Sequence, residues 1–312
     1  QILAQVGAFS VPALLPSLMS EWSLSNTEAG WVTGIFYAGY AVSVPVLVSL
    51  TDHVDPKRIY LLGVATITIS TAGFAYFADD FYSACAFRAL WGVGWAGTYM
   101  PGLKALSDIV EGPQQSRAVS AHAASVGDSG AASFLIAETI GAWYGWRLGI
   151  GVGAIGAALS FVIVFAVMPG RKPEWKEGPQ GALLDFRPIF RNRSALAYSL
   201  GYCVHAWELF AFRSWGVTFL TFAAVSFGGA PDLLAPTSVA FVMGLLATWS
   251  SVTGNEICIR YGRQRVVLWV MLSTMVVALL IGLSAAIGYG AAVAMCLLYN
   301  TMIYGDSSAL TA

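Results

Sequence analysis

From one end to the other the chain repeats apolar stretches about 20 residues long, separated by short polar turns. A stretch of that length, wound as a helix, crosses a hydrocarbon layer of about 30 Å. The runs fall at residues 1–19, 27–50, 59–78, 81–106, 118–137, 148–168, 202–227, 237–253, 266–286 and from 290 onward, which makes about ten spans. Charged residues are only 11% of the chain, hydrophobic residues are 57% and mean hydropathy is +0.68, against about 25% charged in soluble domains. The expected fold class is an all-α polytopic membrane protein with nothing left over for a soluble domain. The sequence begins at Gln1 and stops at Ala312 inside apolar runs, so a fragment lacking its start and its last helices is expected.

Basic residues fall in every second loop: Lys57 and Arg58, then Arg117, then Arg171, Lys172, Lys176, Arg187, Arg191 and Arg193, then Arg260, Arg263 and Arg265. The intervening loops hold only Arg147. By the excess of positive charge on cytoplasmic loops, the basic loops face the cytoplasm. The net charge of −1 gives no reason to expect a nucleic-acid partner. Six spans precede the one long polar segment, residues 169–193, rich in Pro, Gly and charge. The expected organisation is an N-terminal six-helix half at 1–168, a cytoplasmic linker at 169–193, and a C-terminal half at 194–312 that is incomplete, with about four helices. "SNTE" at 25–28 reads as a capping box opening the second span, and Pro236 with Thr237 opens the eighth in the equivalent place.

The turn after span 2 reads "VSLTDHVDPKR" and the turn after span 8 reads "NEICIRYGRQR". Both are short and end in basic residues, an internal symmetry typical of transporters. With "RALWGVGWA" at 88–96, an arginine followed by Gly-x-Gly, and "YGWR" at 144–147, the layout resembles the major facilitator superfamily. Leu50, Asp52, Lys57 and Arg58 fit that family's loop motif, while Val48, His53 and Asp55 depart from it. In the second copy Arg260, Gly262, Arg263 and Arg265 fit, and Ile259 stands where the acid would be. The resemblance implies two six-helix halves and twelve helices, two more than are present here. It also implies a cytoplasmic gate at Asp52, Lys57, Arg58, Arg260, Gly262 and Arg263, and a proton-coupling role for the span 4 arginine.

A charge at mid-bilayer costs about 2.5 to 3.5 kcal/mol on insertion scales, so intramembrane charges face protein or a wet cavity. Spans 3, 6 and 9 hold no ionisable residue; Arg88 is in span 4, Asp128 in span 5, His205, Glu208 and Arg213 in span 7, and Asp306 in span 10. In the family the resemblance points to, helices 3, 6, 9 and 12 are outer supports, so these six residues are the expected substrate and proton pathway. His205, Glu208 and Arg213 span an arc of about 140° and a rise of about 12 Å, so one side of one helix can carry all three. Arg88 can pair with an anionic substrate group or with Asp128, and a carboxylate whose arginine partner comes and goes can load and release a proton. Against this stands a structural reading: the charges neutralise one another or pair between helices. Tyr37, Tyr40 and Trp95 are candidate cavity aromatics, with core packing as the alternative.

"GDSG" at 127–130 matches the string around a protease nucleophile, but an apolar helix offers it no His and Asp partners. It reads better as small residues permitting close helix approach. The four cysteines lack paired spacing, so no disulfide, metal site or cofactor is expected. The expected function is secondary active transport of a small organic solute, an anion favoured, by alternating access and symport with protons. Proton-driven export of amphiphiles is the alternative, as is a transporter-shaped assembly factor or sensor of a membrane complex. An enzyme is not expected. The partners are the solute, protons and lipid, and the location is the cell (inner) membrane.

Overall fold

The computed structural model describes residues 1–111, 113–170, 187–307 and 310. Thirteen α-helices occur among them: α1 (Ile2–Gln5), α2 (Ser10–Glu21), α3 (Asn26–Leu50), α4 (Pro56–Phe77), α5 (Phe81–Ala96), α6 (Tyr99–Ser107), α7 (Pro113–Tyr144), α8 (Trp146–Val167), α9 (Arg187–Arg191), α10 (Arg193–Ser226), α11 (Pro236–Tyr261), α12 (Arg263–Ile287) and α13 (Tyr289–Tyr304). Helix occupies every apolar run, and among the described residues seven helical segments are long and apolar enough to cross a membrane, with α13 a shorter apolar helix. The fold is all-α and polytopic. The expected linker lies for the most part outside the described residues, Arg171, Lys172 and Lys176 included, and its last residues form α9.

Local chemistry sets the helix ends. Ser25 and Glu28 form the expected capping box on α3, the Ser25 N–H donating to Glu28 Oε2 at 2.9 Å. Pro236 opens α11. Asp80 caps α5, accepting from the Ser83 hydroxyl at 2.5 Å and the Ser83 N–H at 2.8 Å. Those bonds, the hydroxyl's foremost, hold the Asp80 carboxyl below the usual carboxylate range. A carboxyl depressed in this way adds stability above its unfolded pKa, lost as pH falls through the folded one. Gly262, at φ +93°, joins α11 to α12 in a conformation only glycine adopts without strain.

The chain forms two compact units: Gln1–Val119 with Ile136–Phe186, and Ser120–Leu135 with Arg187–Ala312. In the first, glycines make the helix crossings. A Cβ on Gly92 would overlap the Phe36 carbonyl of α3, and one on Gly39 the Ala89 carbonyl of α5. A Cβ on Gly94 would lie 2.8 Å from the Gly63 carbonyl of α4. Two residues are about 200° apart on a helix, so Gly-x-Gly lets α5 press on α3 with one face and α4 with the other. The span 4 run is two helices because Gly97 and Thr98 interrupt it, and Gly97 lies against Gly63. At one end of the unit, Arg147 pairs with Asp79 at 2.7 Å, donates to the Ala75 carbonyl at 3.1 Å and stacks 4.4 Å from the Trp146 ring. Trp146 in turn donates to Glu21 at 2.5 Å and meets Trp22 edge-on, so α2, α4 and α8 are clasped together.

The second unit packs α10, α11 and α13 through Leu209, Phe212, Leu220, Met243, Cys296 and Ile303. The middle of α7 crosses α11 at Gly127 and Gly244, where an added Cβ on Gly244 would overlap Ala131. The small residues of "GDSG" therefore serve close approach.

Gly92→Ala is expected to lower the thermal unfolding temperature of detergent-solubilised protein, by the equivalent of about 1 to 3 kcal/mol. Gly34→Ala, where the added methyl meets nothing within 4 Å, is expected to leave it unchanged or raise it slightly.

Candidate functional site

In the first unit, α5 carries Arg88 among side chains that leave it 4% exposed. Its Nε donates to the Val32 carbonyl at 3.3 Å and its guanidinium lies 4.7 Å from the Phe36 ring centroid. Phe36 stacks on Trp95 at 5.0 Å and tilts against Trp91 at 5.1 Å; Tyr37 meets Phe36 at 4.6 Å and Tyr40 meets Trp95 at 4.9 Å. The candidate aromatics thus form one packed cluster around Phe36, with Trp95 fully inside it. Beside Arg88 is a narrow cleft lined by Ser10, Ser70, Thr71, Phe87 and Trp91 among others. Its hydroxyls are already engaged: Ser10 donates to the Gly7 carbonyl at 2.8 Å and Ser70 to the Phe87 carbonyl at 2.5 Å, while Thr71 accepts from the Trp91 indole at 3.0 Å.

In the second unit the three ionisable residues of span 7 diverge. Arg213, 9% exposed, donates through Nη2 to the Val126 carbonyl of α7 at 2.8 Å and lies 5.9 Å from the Tyr304 ring. It borders a small cleft whose walls include Gly130, Phe134, Gly216, Asn300 and Tyr304. Glu208 accepts from the Tyr299 hydroxyl at 2.9 Å, while the Thr274 hydroxyl, 3.4 Å away, bonds the Met271 carbonyl at 3.0 Å. His205 turns to Asp306, Nδ1 to Oδ1 being 3.0 Å with both side chains at most 3% exposed. Asp128 accepts from the Thr248 hydroxyl of α11 at 2.7 Å. Asp128 and Glu208 thus accept from hydroxyls and Asp306 lies beside an imidazole, so the three acids do not share one stripe.

The loop motif is built from short-range contacts. Asp52 pairs with Lys104 at 2.5 Å, and Lys104 also donates to the Thr51 carbonyl at 3.1 Å. Lys57 caps the end of α8 through the Phe165 carbonyl at 2.9 Å and the Met168 carbonyl at 2.5 Å. Arg58 and Arg260 are exposed, Arg263 is half-buried, and Gly262 is the turn between α11 and α12. Lys104 was missed in the sequence because it lies at the end of an apolar run; the signal was a lone lysine opposite a lone aspartate across two adjacent spans. Thr248, Tyr299 and Asn300 were missed as well, since hydroxyls and amides in apolar helices carry no charge to count. Among the described residues no His, Cys, Asp and Glu cluster could hold a metal ion.

The model of the Major Facilitator Superfamily matches residues 1–311. The chain is 24% identical over 280 residues to human protein spinster homolog 1, covering 84% of this chain and 52% of that one. It is 27% identical over 249 residues to the uncharacterized MFS-type transporter YwoD of Bacillus subtilis (strain 168), covering 78% and 48%. It spans about half the length of these relatives. Its backbone is similar to that of a bacterial homolog of the human lysosomal transporter Spinster in an inward-facing, unoccupied conformation, with a TM-score of 0.74 at 16% identity over 99% of this chain and 71% of that one. It is also similar to the nucleoside transporter NupG, D323A mutant, with a TM-score of 0.71 at 16% identity over 98% and 79%.

Asp52 is 70% exposed in its side chain, and an exposed ion pair contributes at most about 1 kcal/mol. Asp52→Asn and Lys104→Ala are each expected to shift the unfolding temperature by no more than that equivalent, as measured by thermal unfolding in detergent. A larger loss would assign the pair a structural role.

Proposed function

The chain belongs to the major facilitator superfamily, a family of transporters rather than enzymes, and we propose that it carries a small organic solute across the membrane by alternating access. The ten spans of this reading belong to two six-helix halves, 1–168 and 194–312 with a cytoplasmic linker between, in the cell (inner) membrane. The solute is an organic anion and the coupling ion is the proton, moved in the same direction. Arg88, Asp128, His205, Glu208, Arg213 and Asp306 form the pathway, Tyr37, Tyr40 and Trp95 contribute apolar wall, and Asp52, Lys57, Arg58, Arg260, Gly262 and Arg263 belong to the cytoplasmic gate.

The observation that carries the anion is Arg213. A guanidinium inside an apolar helix is costly, and this one, held by the Val126 carbonyl, borders a small cleft beside Asn300 and Tyr304. Guanidinium charge, an amide and a phenol on an otherwise apolar wall suit a carboxylate or phosphate joined to an apolar body. The packed aromatics around Phe36 favour a second reading, export of amphiphiles driven by protons.

The test is a thermal-shift screen of the full-length protein with organic anions, cations and neutral solutes at several pH values. One anion class is expected to stabilise it, with binding weakened at least about tenfold in Arg213→Ala, as loss of a charge-assisted hydrogen bond predicts. Stabilisation by cations or neutral amphiphiles alone, retained in Arg213→Ala, would replace the anion reading with the amphiphile one. A protein that no solute stabilises, yet that co-purifies with a membrane complex, would point instead to assembly or sensing.

A further inference from the structure

Just ahead of α10 the chain carries a compact basic element that lines neither cleft. Arg187, Arg191 and Arg193 are exposed, and no carboxylate occurs from residue 187 to residue 207. Among the described residues neither Arg191 nor Arg193 has an ion-pair partner. Apolar side chains stand beside these cations: Ile189 is 39% and Phe190 70% exposed. On α9, Arg187, Phe190 and Arg191 fall within an arc of about 100°, so the aromatic ring emerges beside two guanidinium groups. A face of that composition suits the boundary between lipid headgroups and acyl chains.

α10 sets the depth of this face. Its 34 helical residues measure about 51 Å, against a hydrocarbon core of about 30 Å. The apolar run of α10 starts only at Tyr202, so the excess length lies at its N-terminal end, in the headgroup layer. Tyr198, exposed there, stands where interfacial tyrosines do, and Arg193 is about 7.5 Å further out by helix rise. Asn192 ties α9 to that end. Its N–H donates to the Pro188 and Ile189 carbonyls, both at 3.2 Å, and its side-chain oxygen accepts from the Ser194 and Ala195 N–H groups at 3.1 and 3.2 Å. One residue thus closes α9 and caps α10, and its extended backbone turns α9 off the α10 axis.

We propose that α9 and the first turn of α10 form a docking site for anionic phospholipid headgroups. Arg187, Arg191 and Arg193 donate to phosphate oxygens, which the guanidinium fork matches two at a time, while Ile189 and Phe190 enter the acyl boundary. An acidic peptide would match the charge, but a lipid leaflet supplies phosphate and apolar chains together at the depth α10 sets. The site depends on α10 crossing the membrane and not on which solute is carried.

The experiment compares hydrogen–deuterium exchange of full-length protein in phosphatidylcholine nanodiscs with and without phosphatidylglycerol. Amides of residues 187–193 are expected to exchange more slowly with phosphatidylglycerol present, and the protection to fade as salt rises. Native mass spectrometry of detergent-solubilised protein titrated with phosphatidylglycerol then reads affinity. Arg191→Gln is expected to weaken binding about fivefold, and glutamine at 187, 191 and 193 together at least about tenfold. Phe190→Ser is expected to weaken it at unchanged charge. Arg265→Gln removes one exposed charge from the start of α12 and is expected to leave affinity near wild type. Unfolding temperatures in phosphatidylcholine establish that the variants fold, Asn192 being kept in all of them. Equal exchange in the two nanodiscs would overturn the proposal. So would equal losses in Arg191→Gln and Arg265→Gln, which make the effect one of overall charge without a site. Protection by a soluble polyglutamate peptide and not by phosphatidylglycerol would replace the lipid with an acidic protein partner.

Discussion

A peptide group in hydrocarbon has no water to bond, so each membrane-crossing segment of this chain must be helix, and each helix must find its neighbours with what its side chains leave uncovered. Lipid tails are as apolar as the helices, and association depends on close packing. Glycine supplies it. Gly39 and Gly92 bring α3 and α5 to backbone contact, Gly63 and Gly94 do the same for α4 and α5, and Gly127 with Gly244 does so for α7 and α11. Those crossings fix where the few polar side chains arrive, because a helix held at backbone distance cannot rotate without overlap.

Helix positions were legible in the sequence because span length and apolarity are the same fact, and helix ends because caps such as Ser25 with Glu28 are local. The breaks were less so. Gly97 and Thr98 sit in an unbroken apolar run, and nothing in hydropathy distinguishes a helix that continues there from one that restarts. α7 and α10 extend well beyond their apolar runs, 32 and 34 residues long, because polar residues can continue a helix into the interface.

The candidate site was legible as a set of charges and illegible as a set of partners. Helical spacing puts His205, Glu208 and Arg213 on one side of span 7, but it says nothing of the helices they meet. Glu208 is answered by Tyr299, and Asp128 by Thr248. Neutral hydroxyls satisfy lone pairs without cancelling charge, as an arginine pair would. The family motif in the loop after span 2 was readable from position, whereas Lys104, which holds Asp52, was hidden by its apolar surroundings.

What unites the ionisable residues of α10 is the helix opposite them. His205 meets Asp306, Glu208 meets Tyr299, and Arg213 faces the Tyr304 ring, so all three reach α13 or the turn that ends it. The seam between these two helices is polar along two of its turns while the rest of the packing around it is apolar. Tyr304, which lines the cleft beside Arg213, and Asp306, which meets His205, are two residues apart, so the cleft and the buried pair share one stretch of packing.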